Sequence, residues 1–160
     1  MSDINQLISI IIPVFNESES IVFLIDEVIS VMTDNKINFE LIVVNDGSKD
    51  DTHQVLKKLT LKITELSVIC LRKNYGQTSA IAAGFDNSKG DIVITLDGDL
   101  QNDPNDIPKL ISEINNGYDL ICGWRFDRKD KLINRKIPSK IANKLIAHVT
   151  GLKLHDYGCS

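Results

Sequence analysis

LISIIIPVFNESESIVFLIDEVISVM, residues 7–32, decides the fold. Its first part, Leu7 to Val14, is short, apolar and rich in isoleucine, the pattern of a strand buried on both faces. From Ser20 to Met32 the pattern changes. Ile21, Leu24, Ile25, Val28, Ile29 and Met32 recur at helical spacing, with Asn16 and Ser18 before them as candidate caps. The alternation continues outward from this pair. Phe39–Val44 reads as a strand, Thr52–Ile63 as a helix, Leu66–Leu71 as a strand, Gln77–Asn87 as a helix and Asp91–Leu96 as a strand. Asn105–Asn116 then reads as a helix capped by Asp103, with Pro104 in its first turn, and Tyr118–Cys122 as a last strand. Strands alternating with helices imply right-handed crossovers and an α/β fold, a mostly parallel sheet with helices on both faces.

The 160 residues suit one Rossmann-like domain, expected to run from 1 to 160, and 42% hydrophobic with 25% charged residues is a globular balance rather than a disordered one. The longest apolar stretch, Leu7 to Phe15, is interrupted by Ser9 and Pro13 and falls short of the ~18 residues of a membrane span. The first residues, MSDINQ, lack the basic start of a secretory signal, so a cytoplasmic location is expected. Cys70, Cys122 and Cys159 are odd in number and widely spaced, which argues against a disulfide framework and a zinc cluster. Cys70 and Cys122 lie in apolar stretches and are expected to be buried.

Charge is unevenly distributed. Residues 1–124 carry 9 Lys and Arg against 19 Asp and Glu, whereas residues 125–160 carry 9 against 3. No nucleic-acid partner is expected. The basic segment, 125–150, suits an anionic ligand or membrane surface, and the shift near Arg125 is the only candidate boundary. Within that segment an apolar stripe of Ile137, Ile141, Leu145, Ile146 and Val149 runs beside Lys136, Lys140 and Lys144. Such a helix suits either core packing or a membrane surface.

In open parallel sheets ligands bind beyond the carboxyl ends of the strands. Pro13–Glu17, Asn45–Ser48, Asn74–Gln77 and Asp97–Asp99 all follow strands and so fall at that edge. Asp97 and Asp99, two apart at a strand end, can face one cation if the backbone is extended there. Hard carboxylate ligands suit Mg2+ or Mn2+, which complete their shells with water and phosphate oxygens, so a metal diphosphate fits as substrate. Asp46 is placed to accept from the N–H edge of a nucleobase, or else to serve as a turn or helix cap. No GxGxxG fingerprint and no GxxxxGK[ST] loop is present, which removes the main support for dehydrogenase and P-loop readings. His53, His148 and His155 show no ligand spacing. Arg125, Arg128 and Arg135 carry the guanidinium forks that match phosphate oxygens.

The blocks ISIIIPVFNE, VVNDGSKDDT, RKNYGQTSAIAAG, DIVITLDGDLQNDP, GWRFDRKD and LHDYGCS, in this order, resemble the family 2 glycosyltransferases of GT-A fold. The resemblance is closer to polyprenyl-phosphate glycosyltransferases of the dolichyl-phosphate mannosyltransferase and undecaprenyl-phosphate glucosyltransferase type. It implies an inverting transfer of a hexose from a UDP- or GDP-sugar to a polyprenyl phosphate, with Mg2+ or Mn2+ as cofactor, at the cytoplasmic face of a membrane. It implies nucleotide contacts from Pro13, Phe15, Glu17 and Gly76, base reading by Asp46, and a metal and diphosphate site at Asp97, Asp99 and Gln101. Arg125, Arg128 and Arg135 become candidates for donor or lipid phosphate, and Asp156 for an acceptor-side base or positioning group. Asn45 stands where many relatives have Asp. Relatives continue past LHDYGCS, so the chain resembles a C-terminally truncated domain whose longer form is membrane-anchored. The alternatives are a same-fold transferase to a saccharide hydroxyl and an inactive domain that binds a nucleotide sugar. A second copy of the chain is carried as a candidate partner.

Overall fold

The computed structural model describes residues 6–123. Four strands and four α-helices alternate: β1 (Leu7–Val14), α1 (Ile21–Asp34), β2 (Asn38–Asn45), α2 (Thr52–Leu59), β3 (Leu66–Cys70), α3 (Gln77–Asn87), β4 (Ile92–Thr95) and, after a short 3-10 turn at Pro104–Asp106, α4 (Ile107–Asn115). The strands form one parallel sheet in the order β3-β2-β1-β4. The order reverses beside β1: the chain steps outward through β2 to β3, then α3 carries it back across to β4 on the other flank. Loops after β1 and β4 therefore diverge, which is the geometry that opens a crevice at the carboxyl ends.

Burial explains why β1 reads as continuous apolar sequence. Ile8, Ile10, Ile12 and Val14 face one core with Leu24, Ile25, Val28 and Met32 of α1, Leu56 of α2 and Ile107 and Ile111 of α4. Ile11 faces the other with Ile42, Val44 and Ala80 of α3. Each fully buried Ile or Leu contributes about 1.5–3 kcal/mol, so the two faces together hold the central strands in register.

Pro13 sits inside this central strand, a position that normally costs a ladder hydrogen bond. The register shows why it is tolerated. Pairing of β1 with β4 stops at Ile11 and Thr95, while the Val14 carbonyl still accepts from Asp46 N on the β2 side. Bonding sides alternate along a strand, so the missing N–H of Pro13 belongs to the β4 side, where the ladder has ended.

Several expectations change. Tyr118–Cys122 is not a strand: nothing among the described residues pairs with it, and Leu120 is 73% exposed. An apolar run becomes a strand only where a neighbour supplies the ladder. Cys70 and Cys122 are exposed, not buried. Cys70 ends the edge strand β3. Asn16 and Ser18 do not cap α1, whose N-cap is Ser20. Asp103 does cap the next element, accepting from Asn105 N at 2.9 Å, and that bond holds its carboxyl below the usual range. A compact unit ends at Gly117 and a second begins at Tyr118. Among the described residues no helix is long and apolar enough to cross a membrane.

Candidate active site

A cleft of about 280 Å³ opens at the carboxyl ends of the strands, lined by residues of all four post-strand loops. Pro13, Phe15 and Glu17 come from the first loop, Asp46 from the second, Asn74, Gly76 and Gln77 from the third, and Asp97, Gly98 and Asp99 from the fourth. The sequence places all of these loops at one edge, and the fold brings them to one cavity. Gln101 follows in the same loop without lining the cleft; its backbone N–H donates to Asp99 Oδ1 at 3.1 Å. Arg125, Arg128, Arg135, Asp156 and the basic segment lie outside the described residues.

The first and second loops are stitched together. Asn16 N donates to Ser48 Oγ at 2.9 Å and Asn16 Oδ1 accepts from Lys49 N at 2.8 Å. Asn16 takes a left-handed conformation (φ 59°) that asparagine tolerates better than most residues. Glu17 N donates to Thr52 Oγ1 at 2.9 Å, and Ser18 N to Asp50 Oδ2 at 3.2 Å. Burial pushes the Asp50 carboxyl up, but hydrogen bonds from Thr52 and Ser18 outweigh it and lower it from 3.8 to about 2. The Glu17 carboxylate accepts from Ser20 Oγ, which also lies 3.3 Å from the Gly98 carbonyl. One serine thus links the first loop to the acidic one. Neither Ser20 nor the Asp50–Thr52 pair stands out in the sequence, because capping-type residues at a helix start carry no sign of which loop they will hold.

Asp46 is 3% exposed, and its two carboxylate oxygens accept from Tyr75 N and Gly76 N, each at 2.8 Å. It is neither a local turn residue nor the cap of its own helix. It holds a loop some thirty residues away, just before α3, where the N-terminal helix dipole also favours a negative charge. Charge-assisted bonds of this kind contribute about 1.5–3 kcal/mol each. Gly47 makes the approach of the two loops possible. It has φ +68°, and a Cβ there would lie 2.6 Å from Lys73 Cα. Asn45, behind Asp46, is buried, with its Oδ1 accepting from Ser48 N at 2.9 Å, and it does not line the cleft.

The acidic pair is built differently from the extended strand end that its spacing suggests. β4 stops at Thr95, and Gly98 and Asp99 lie in a turn followed by Leu100 at φ 61°. The turn, not strand alternation, brings both carboxylates to the cleft. Gly98 is where this loop crosses β1: a Cβ would lie 2.9 Å from Val14 Cγ1 and 3.1 Å from the Pro13 carbonyl. Asp97 Oδ1 accepts from Gln77 Nε2 at 2.7 Å. Gln77 is a site residue that the sequence marks only as part of a polar cluster, because nothing in its spacing shows that α3 starts opposite Asp97.

Among the described residues no three His, Cys, Asp or Glu side chains could cage an ion. Two carboxylates suffice for Mg2+ or Mn2+, which takes its other ligands from water and phosphate, so Asp97 and Asp99 fit such a cation bound together with a diphosphate. Cys70 and His53 form a separate pair, Sγ to Nδ1 at 3.3 Å, outside the cleft. Desolvation raises the Cys70 thiol, the opposite of an activated nucleophile.

Comparison with known proteins finds chains of similar sequence and structures of similar fold. The chain is 47% identical over 160 residues to dodecaprenyl-phosphate galacturonate synthase of Rhizobium johnstonii, covering 96% of this chain and 46% of that protein. It is 40% identical to undecaprenyl-phosphate 4-deoxy-4-formamido-L-arabinose transferase of Edwardsiella ictaluri, covering 99% of this chain and 50% of that one. The chain thus spans about half the length of these curated relatives. Among solved structures, glucosyl-3-phosphoglycerate synthase of Mycobacterium tuberculosis with Mn2+, UDP-glucose and phosphoglyceric acid superposes with a TM-score of 0.67 at 24% identity, over 92% of this chain and 51% of that one. A mannosyltransferase of Pyrobaculum calidifontis in complex with GDP-mannose and Mn2+ gives 0.56 at 21%, over 65% and 31%. These likenesses establish the α/β GT-A-like fold. The model of "Glycosyl transferase family 2" matches residues 9–160, nearly the whole chain, and with relatives this similar along its length the chain belongs to that family.

Proposed function

We propose that the chain is the donor-binding part of a metal-dependent, inverting glycosyltransferase that moves a hexose from a UDP- or GDP-sugar to a polyprenyl phosphate. One observation carries the donor half of this reading: Asp46, Asp97 and Asp99 line a single cleft at the point where strand order reverses. The acceptor half is supported by the two relatives reported above, a dodecaprenyl-phosphate galacturonate synthase and an undecaprenyl-phosphate 4-deoxy-4-formamido-L-arabinose transferase, whose names each carry a polyprenyl phosphate.

In this reading the nucleoside lies between the first loop and the wall of Asp46 and Gly76, with Phe15, 39% exposed, offering an apolar face to it. Asp97 and Asp99 would hold the cation, which would supply charge neutralisation for the nucleoside diphosphate leaving group. The bond from the anomeric carbon to the diphosphate oxygen breaks as an acceptor phosphate oxygen bonds to the same carbon from the opposite face. A phosphate acceptor is already anionic, so the chain needs to orient it more than to deprotonate it. Asp156 is assigned to that acceptor side, and Arg125, Arg128 and Arg135 to donor or lipid phosphate. The +6 balance of residues 125–160 supports attachment to an anionic membrane surface.

The test is transfer from radiolabelled UDP- and GDP-hexoses in the presence of polyprenyl phosphate, with and without chelator. Label should enter the organic phase only with lipid acceptor and divalent cation. Label appearing in a water-soluble saccharide instead would overturn the acceptor assignment.

A further inference from the structure

We propose that Gln77 is a positioning residue for the cation site, holding Asp97 so that it offers one oxygen, and thereby favouring a small six-coordinate cation over calcium. The inference rests on the metal-diphosphate reading of the cleft.

Gln77 Nε2 donates to Asp97 Oδ1 at 2.7 Å, a short bond to a charged acceptor. Gln77 is exposed, so its own packing does not fix it. Its place comes from the buried Asp46 carboxylate, which holds the two preceding N–H groups, of Tyr75 and Gly76, at 2.8 Å each. Gly76, at φ 92°, is the N-cap of α3, and Gln77 is its first residue. A chain of contacts therefore runs from the second post-strand loop through the start of α3 to the fourth.

The consequence is stoichiometric. Asp97 Oδ1 accepts from an amide and Asp99 Oδ1 from Gln101 N, and each bond takes up a lone pair of that oxygen, so the cation is assigned to the other oxygen of each carboxylate. Two monodentate carboxylates suit octahedral Mg2+ or Mn2+, which complete their shells with phosphate and water. Ca2+ takes six to eight ligands and gains from bidentate carboxylates. The donor to Asp99 is backbone and cannot be deleted; the donor to Asp97 is a side chain and can. Outer partners of this kind orient metal ligands, and their loss typically weakens binding about 10- to 100-fold.

The experiment titrates Mn2+ and Ca2+ into the wild-type chain and Gln77→Met, with UDP and separately GDP present, by calorimetry. Methionine keeps the length and apolar bulk of the side chain and removes the donor; Gln77→Ala is the second variant. Mn2+ affinity should fall about tenfold while Ca2+ affinity holds or rises, so that the Mn2+/Ca2+ ratio drops about tenfold. A side chain that served only the fold would shift both ions together. A ratio within about twofold of wild type, in variants with an unchanged unfolding midpoint, overturns the role of Gln77 and leaves the metal reading intact. Wild-type protein in which Mn2+ fails to strengthen binding of either nucleotide overturns the metal reading itself.

Discussion

At the amino edge of the sheet Ser9, Glu40 and Gly90 close on one another, whereas at the carboxyl edge Asp46, Asp97 and Asp99 stand around an open cleft. The amino-edge cluster is compact. Ser9 Oγ donates to Glu40 Oε1 at 2.6 Å and accepts from Gly90 N at 2.8 Å, while Lys89 N donates to the same Glu40 oxygen at 2.6 Å. Asp91 Oδ2 accepts from Leu7 N at 3.0 Å. These carboxylates clamp the turn between α3 and β4 onto β1 and β2. At the other edge Asp46 performs a similar clamp, but Asp97 and Asp99 each accept one bond from a neighbour and line the cleft. Polarity is common to both edges. What separates them is that strand order reverses at β1, so the loops after β1 and β4 diverge at one edge only.

The comparison predicts opposite phenotypes at the two edges. The largest effect should come from Asp99→Asn, which removes one of two hard ligands: nucleotide affinity in Mn2+ should fall by on the order of 10³, about 4 kcal/mol, with folding unchanged. Calorimetry with UDP and GDP measures it, and an affinity that chelator also leaves unaltered would remove the acidic pair from the site. Glu40→Ala should do the converse. It strands the Ser9 hydroxyl and the Lys89 N–H, costing about 2 kcal/mol of stability in a denaturant titration while nucleotide affinity holds. A loss of affinity there at full stability would mean that the edges are not independent.

The smallest effect concerns the stitch between the first two loops. The folded-state pKa of Asp50 is lowered to about 2, so its contribution is present above the unfolded value near 4 and is lost as pH falls through the folded one. Asp50 is partly exposed, and after solvent screening the contribution is about 1 kcal/mol. The stability gap between wild type and Asp50→Asn should therefore be constant above about pH 4 and shrink toward about pH 2. A gap that persists unchanged at acid pH would show that the bonds from Thr52 and Ser18 survive protonation.

Much of this molecule is legible in its residues because the signals are local. Continuous apolar runs such as Leu7–Val14 and helical stripes such as Ile21–Met32 arise from burial on two faces or one, and burial repeats at the period of the element itself. Once strands and helices alternate, handedness and the sheet edge carrying the loops follow, which is why Pro13–Glu17, Asn45–Ser48, Asn74–Gln77 and Asp97–Asp99 could be placed at one edge from position, whereas the nucleotide contacts of Pro13, Phe15, Glu17 and Gly76 come from the family resemblance. Tertiary structure decided what no local period encodes. Tyr118–Cys122 has strand composition but no ladder partner among the described residues. Asp46 reaches Tyr75 and Gly76, Gln77 reaches Asp97, and Ser20 links Glu17 to Gly98, all across gaps in sequence set by how α3 crosses the sheet. A hydrogen bond depends on fractions of an ångström between distant backbones, and only the packed sheet, with Gly47 and Gly98 permitting close approach, fixes those distances.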